Sequence, residues 1–154
     1  MIQRIQTLYL LLALAIQSSV FFSDLGVFCG PERLLALRFS GLFDITDSTS
    51  AILIQALWPL ATLAVVMSLL LLVSIFSFRH RPLQMRLCGI AVGLELGLSG
   101  LIYYLCSSIA ADSQLEWPFG FIGLLPAVSV IPTILAYRAI HRDELIIKSL
   151  DRLR

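Results

Sequence analysis

Four stretches of this chain are apolar for about the length a bilayer demands. A hydrocarbon core of about 30 Å takes roughly 20 predominantly apolar residues at about 1.5 Å each. Spans are expected over about 5–25, 52–78, 87–110 and 119–140. They leave an outer loop over 26–51, two short connections and a tail over 139–154, all within a single domain covering 1–154. The second run, Ile52 to Phe78, is interrupted by Gln55, Pro59, Thr62 and three serines; the third carries Glu95; the fourth carries Pro126 and Pro132. Composition agrees. The chain is 58% hydrophobic and 14% charged, with a mean hydropathy of +0.92. Soluble domains sit near 45–50% and about 25%, so a soluble enzyme, a disordered tail and a nucleic-acid-binding domain are disfavoured.

The few charges are sorted by side. Of eleven Lys and Arg residues, Arg4 precedes the first span, and Arg79, Arg81 and Arg86 lie between spans two and three. Arg138, Arg142, Lys148, Arg152 and Arg154 follow span four, and only Arg33 and Arg38 lie on the other side. The positive-inside rule then puts both termini in the cytoplasm. Asp24, Glu32, Asp44, Asp47, Asp112 and Glu116 mark the opposite side. The first span has Arg4 before an apolar run, as a signal peptide does. It exceeds the usual 7–15 residues of such a region and ends in Val20-Phe21-Phe22 rather than small residues. It reads as a retained anchor.

In the outer loop, Leu35, Leu37 and Phe39 alternate with Ala36, Arg38 and Ser40, and Leu42, Phe43 and Ile45 could form a partner strand. Alternation predicts a small β-hairpin on the outer face; an interfacial helix over 32–43 is the alternative. Gly41-Leu42-Phe43 is faintly similar to the first loop of claudin-like proteins, without that loop's paired cysteines. Asp47, Ser48 and Ser50 are candidate N-caps for span two. Ser113-Gln-Leu-Glu116 has capping-box spacing before span four. Trp58, Trp117, Tyr103, Tyr104 and Tyr137 fall near span ends, where interfacial aromatics sit.

Span three holds the candidate functional residues. Gly89, Gly93, Gly97 and Gly100 share one helical face. Such a ridge lets a second helix approach closely, and packing within the four-helix bundle is the preferred expectation over a homodimer. Glu95 lies about 155° away from that ridge at 100° per residue. It is nine residues from Arg86, roughly 13 Å deeper along the axis. A buried carboxylate is costly unless paired or protonated. Glu95 is expected to be protonated or hydrogen-bonded, with Ser129 or Ser68 at similar depth. Structural bonding is the plainer role; a proton or cation relay is the functional one.

Gly97-Leu-Ser99-Gly100 matches the GxSG of rhomboid-type proteases, a chemistry that needs a histidine near the serine. His80 and His141 both fall at the cytoplasmic boundary, so the match reads as chance. Two isolated histidines also make a weak metal signal. No catalytic residue, metal ligand or cofactor is assigned. Cys29 and Cys106 could pair at the outer face if their Cα atoms lay within about 7 Å.

Beyond Arg138, Ile146, Leu150 and Leu153 recur at helical spacing, and Glu144 with Lys148 forms an i,i+4 pair. Span four is expected to continue as an amphipathic helix that docks on a partner, the membrane surface or its own chain.

Three stretches carry a family resemblance: Met1-Ile-Gln-Arg-Ile-Gln-Thr-Leu-Tyr-Leu-Leu-Leu12, Leu83-Gln-Met-Arg-Leu-Cys88, and Arg138-Ala-Ile-His-Arg-Asp-Glu-Leu145 running to Ser149-Leu-Asp-Arg-Leu-Arg154. The chain resembles domain-of-unknown-function family 4293, small four-span bacterial integral membrane proteins. The resemblance implies an inner-membrane location and supplies no activity, cofactor or site residue. All three stretches fall on the arginine-rich side. Gln3, Arg4, Arg79, Arg81, Gln84, Arg86, Arg142, Asp143, Glu144, Asp151 and Arg152 are therefore the candidate partner-binding face.

The expected fold is an all-α integral membrane four-transmembrane-helix bundle, with a small outer hairpin or loop and a cytoplasmic helical extension. The expected function is a non-enzymatic inner-membrane component acting through its cytoplasmic face. The alternative is a small transporter or ion-coupled subunit using Glu95. Expected partners are the lipid bilayer, a cytoplasmic or membrane protein, and a second copy at the glycine ridge.

Overall fold

The structure is a computed structural model, and it describes residues 2–30, 33–46, 51–78, 80–116 and 121–151. Helix α1 (Ile2–Phe22) leads into four strands: β1 (Gly26–Cys29), β2 (Leu34–Arg38), β3 (Gly41–Asp44) and β4 (Ile52–Ala56). Helices α2 (Trp58–Phe76) and α3 (Arg81–Ser113) follow, then a 3₁₀ turn (Phe121–Leu124) and α4 (Leu125–Asp151). Four helices are long and apolar enough to cross a membrane, the composition of a multi-pass membrane protein. Between 28% and 33% of each crossing segment is buried within the chain. Leu8, Leu11, Leu12, Val65, Val66, Leu69, Ile90 and Leu96 are exposed, an outer surface suited to lipid rather than water.

The expected hairpin is present as β2 and β3, antiparallel around Phe39-Ser40 with Leu37 opposite Leu42. The all-α expectation is corrected, because the hairpin is the centre of a four-stranded sheet in the order β1-β2-β3-β4. The second span is also corrected. Ile52–Ala56 pairs with β3 instead of starting a helix. Ile52 and Ile54 are β-branched and suit a pleated surface. Pro59 fits the first turn of a helix that starts just before it. The cap candidates Asp47, Ser48 and Ser50 lie outside the described residues. The N-cap of α2 is Leu57, which makes no side-chain cap bond.

The sheet is tied to itself and to the segment that follows α1. Leu34 N–H donates to Thr46 Oγ1 at 3.0 Å, and the Thr46 hydroxyl donates to Asp44 Oδ1 at 2.5 Å. That hydroxyl, and then the Thr46 N–H, hold the Asp44 carboxyl below its ordinary value. Arg38 pairs with Asp24 at 2.7 Å and lies 5.3 Å above the Phe43 ring. Gly41 has no room for a side chain: a Cβ there would meet the Gln55 carbonyl and Leu53 Cδ1 at 2.8 Å. Gly41→Ala is therefore expected to cost about 1–3 kcal/mol by forcing β3 from β4. SDS titration in mixed micelles measures it, and unchanged stability would contradict the pairing.

The segment Ser113–Glu116 ends α3 rather than capping α4. Ser113 is the last residue of α3, and Gln114 follows in the left-handed conformation with φ 53°. Glu116 then bridges to Cys29, each N–H donating to the other's carbonyl. The spans accordingly shift: α3 runs over 81–113 instead of 87–110, and the described part of the fourth begins at 121.

α1 packs on α2 and α4, and α3 packs on α2 and α4. Two apolar clusters hold them. The first, at the sheet end, joins Val20, Phe28, Leu37, Leu60, Ala64, Leu98 and Ile102. The second, at the opposite end, joins Leu10, Ala13, Met67, Leu71, Cys88, Ala91, Ala136 and Ile140.

Candidate functional site

Between these two clusters lies a polar layer. On α1, Ala13 belongs to one cluster and Val20 to the other, and Gln17 lies between them. On α3, Ala91 and Leu98 stand in the same relation to Glu95. The spacing of four then three residues keeps each set on one helical face. On α4, Ser129 and Thr133 precede Ala136 of the second cluster. Gln17, Glu95, Ser129 and Thr133 are all fully buried. Glu95 therefore faces inward, on the face opposite the glycines, as the helical wheel separates them.

The nearest partner of Glu95 is Thr133, the expected Ser129 side chain also acts on its carboxyl, and Ser68 does not. Thr133 Oγ1 lies 2.9 Å from Glu95 Oε1 and 2.9 Å from the Ser129 carbonyl oxygen. A hydroxyl has one proton to donate, so it cannot serve both acceptors at once. If Glu95 is neutral, its O–H donates to Thr133, whose proton turns to Ser129. If Glu95 is ionised, the Thr133 proton turns to the carboxylate. Ser129 Oγ donates to the Pro126 carbonyl at 2.6 Å, and Ser68 Oγ to the Ala64 carbonyl at 3.0 Å. Both hydroxyls are used within their own helices. Pro132 stands beside Thr133 inside α4 and carries no N–H, which loosens the helical ladder there.

Three buried atoms in this layer have no hydrogen-bond partner among the described residues: Glu95 Oε2, Gln17 Oε1 and Gln17 Nε2. Such orphans are rare, because each costs about 1–3 kcal/mol. Sequence reasoning missed Gln17. The available signal was a polar residue at the a/d-like spacing of Leu10, Ala13 and Val20 in an otherwise apolar run.

The other candidates scatter. Ser99 Oγ donates to the Glu95 carbonyl at 2.8 Å, a bond within its own helix. Gly89, Gly93, Gly97 and Gly100 are exposed, and nothing lies within 4 Å of a Cβ built on any of them. The expectation that this ridge packs within the chain is thus corrected: α3 turns its Glu95 face to α4 and its glycines outward. Gly93→Ala is expected to leave stability unchanged or raise it by up to about 1 kcal/mol through helix propensity. An unfolding titration showing a loss of that size would reveal a neighbour on this face. All three cysteines are free, Cys29 exposed and Cys88 and Cys106 buried, so the Cys29–Cys106 disulfide is not formed.

At the end opposite the sheet, two of the expected binding residues are structural. Gln84 is buried and donates to the Ser74 carbonyl at 3.1 Å, satisfying one of the carbonyls at the end of α2. Asp143 is buried and accepts from Gln6 Nε2, joining α4 to α1. Arg86 and Arg142 are exposed, and Arg81 and Glu144 are half-buried. Arg79 and Arg152 lie outside the described residues, as do the side chains of Gln3, Arg4 and Asp151. Arg86 and Glu144 share a cleft of about 350 Å³ with Pro82, Met85, Gly89 and Tyr137.

α4 runs unbroken from Leu125 to Asp151, so the tail continues the fourth span as expected. No curated protein matches the chain. A family model does, over residues 2–153, and its description is "Domain of unknown function (DUF4293)". The match takes in all four long helices and the sheet between the first two, and the chain belongs to the DUF4293 family.

Proposed function

We propose that this is a non-enzymatic bacterial inner-membrane protein, a four-helix bundle that takes up a proton or small cation at Glu95. The observation that carries the proposal is the Thr133 hydroxyl, at equal distance from Glu95 Oε1 and the Ser129 carbonyl. That arrangement accommodates both protonation states of Glu95 by turning one O–H bond, with no movement of backbone. Gln17, at the same level, brings a second set of uncommitted donor and acceptor atoms. Intramembrane acids facing a protein interior are a recurrent feature of proton and ion pathways. The test is flux in liposomes under an imposed proton, sodium or potassium gradient. Wild type should exceed protein-free vesicles, and Glu95→Gln should not; equal flux in the two proteins overturns the proposal.

Both termini and the α2–α3 turn lie in the cytoplasm in this proposal, and the sheet lies outside. The nine basic residues at those three places support that orientation. The cysteines provide a check. A membrane-impermeant maleimide added to intact spheroplasts should label Cys29, which is exposed in β1, and spare buried Cys88 and Cys106. Labelling of Cys29 only after lysis reverses the orientation.

A second reading, partner binding at the cytoplasmic face, is favoured by the length of α4, which runs to Asp151, and by the exposure of Leu145 on it. Ile140 and Asp143 belong to the packed end, so the informative truncation stops after 145. Co-purification that is unchanged by this truncation counts against the reading. A second copy at the outward glycine ridge is an alternative partner, and Gly93→Leu should then abolish the dimer on size exclusion.

A further inference from the structure

α1 and α4 do not close completely at the arginine-rich end. A cleft of about 590 Å³ lies between them, lined by Ile5, Tyr9, Leu135, Arg138, Ala139, Arg142 and Asp143. Leu135, Arg138, Ala139 and Arg142 recur at spacings of three, one and three, one stripe of α4. Ile5 and Tyr9 are one turn apart on α1. The stripe rises about 10 Å from Leu135 to Arg142, so Leu135 lies at the deep end, Arg142 at the mouth and Arg138 between them, with apolar side chains along the whole length.

The charges there are not matched among the described residues. Arg138 and Arg142 are exposed, and neither forms an ion pair among the described residues. The carboxylate among the described lining residues, Asp143, is buried and already accepts from Gln6. Two guanidiniums one helical turn apart face one committed acid. The occupant that complements this surface carries a compact anion and an apolar tail of at least 10 Å or so. Guanidiniums take phosphate oxygens in forked pairs of hydrogen bonds.

We propose that the α1–α4 cleft binds one anionic phospholipid, its phosphate on Arg138 and Arg142 and an acyl chain along Ile5, Tyr9, Leu135 and Ala139. Basic clefts between membrane helices at headgroup depth select anionic lipids over zwitterionic ones. The site is separate from the Glu95 layer, and its test does not depend on flux.

The experiment uses the full chain in nanodiscs of phosphatidylcholine doped with phosphatidylglycerol, followed by mild detergent extraction. Tightly held lipid is counted by native mass spectrometry. Wild type should retain one phosphatidylglycerol in preference to phosphatidylcholine. The double variant Arg138→Gln, Arg142→Gln should lose retention by on the order of tenfold. Ala139→Trp fills the cleft with both arginines in place and should lose it too. Arg86→Gln removes a charge outside the cleft and should retain it. Inorganic phosphate at millimolar concentration should not displace the lipid, because it lacks the acyl contact. Equal retention of the two lipids overturns the proposal, as does a loss with Arg86→Gln equal to that with the double variant, or retention by Ala139→Trp. Glu95→Gln should retain lipid as wild type does, which separates failure of the cleft from failure of the polar layer. Circular dichroism and size exclusion identify any variant that has not folded. For such a variant, Arg138→Lys with Arg142→Lys gives the decision: it keeps charge without the fork, and unreduced retention again overturns the phosphate assignment.

Discussion

Glu95→Gln is expected to keep folded stability within about 1 kcal/mol of wild type and to abolish proton uptake. The two halves of that result have different physical origins. The glutamine amide has nearly the shape of the carboxyl group and can donate its N–H to Thr133 Oγ1, whose proton then goes to the Ser129 carbonyl. Every bond made by the neutral acid is reproduced. Interhelical hydrogen bonds between membrane helices average about 0.6 kcal/mol, so even an imperfect replacement costs little. Glutamine does not titrate, however, so the turn of the Thr133 hydroxyl has nothing to respond to. Thr133→Val is the companion variant. It keeps the acid and removes the hydroxyl that lies 2.9 Å from it. Uptake should slow, and stability should fall by about 1–3 kcal/mol because a buried carboxyl loses its bonded partner. If Glu95→Gln lowers stability by several kcal/mol with flux unchanged, the acid is a structural bond and no more.

The helices were legible in the sequence because lipid imposes a length and a composition that no other environment does. So was the separation of Glu95 from the glycines, since 100° per residue sets it whatever their neighbours are; which of the two faces turns inward was not. What those glycines touch was not legible. Small residues mark a surface where a helix could approach, and only the assembled chain shows that α3 presents them outward. The start of the second span was misplaced because Ile52-Leu-Ile is equally apolar in a strand and in a helix. The decision came from a long-range partner, β3, which pairs Leu53 with Phe43. Ser113–Glu116 failed for a related reason: a serine three residues before a glutamate caps a helix only if the helix follows it, and here a helix ends there. At the arginine-rich end, residue type suggested a uniform binding face. Packing divided it, burying Gln84 and Asp143 as structural ties and leaving Arg138 and Arg142 at the cleft.

Gln17→Leu is expected to stabilise the fold by about 1–3 kcal/mol and to impair uptake. Gln17 is fully buried, and neither its carbonyl oxygen nor its amide nitrogen has a partner among the described residues. Leucine is close to glutamine in volume and carries no polar atom, so the substitution removes an unsatisfied donor and acceptor without opening a cavity or overfilling the site. The neighbours along α1, Ala13 and Val20, already sit in apolar clusters above and below, and leucine would join the two clusters across this helix. A residue that lowers stability where a plainer one would raise it is most simply explained by what it does, since natural sequences break local rules mainly at working sites. The same variant therefore reads both quantities. Higher stability with lost uptake marks Gln17 as part of the polar pathway beside Glu95. Higher stability with normal uptake confines the pathway to Glu95 and Thr133. Lower stability shows that the amide is bonded in the membrane, and the layer is then a structural polar network rather than a site. A double variant with Glu95→Gln distinguishes the first two cases further: non-additive changes in stability place the two side chains in one network, because independent sites add.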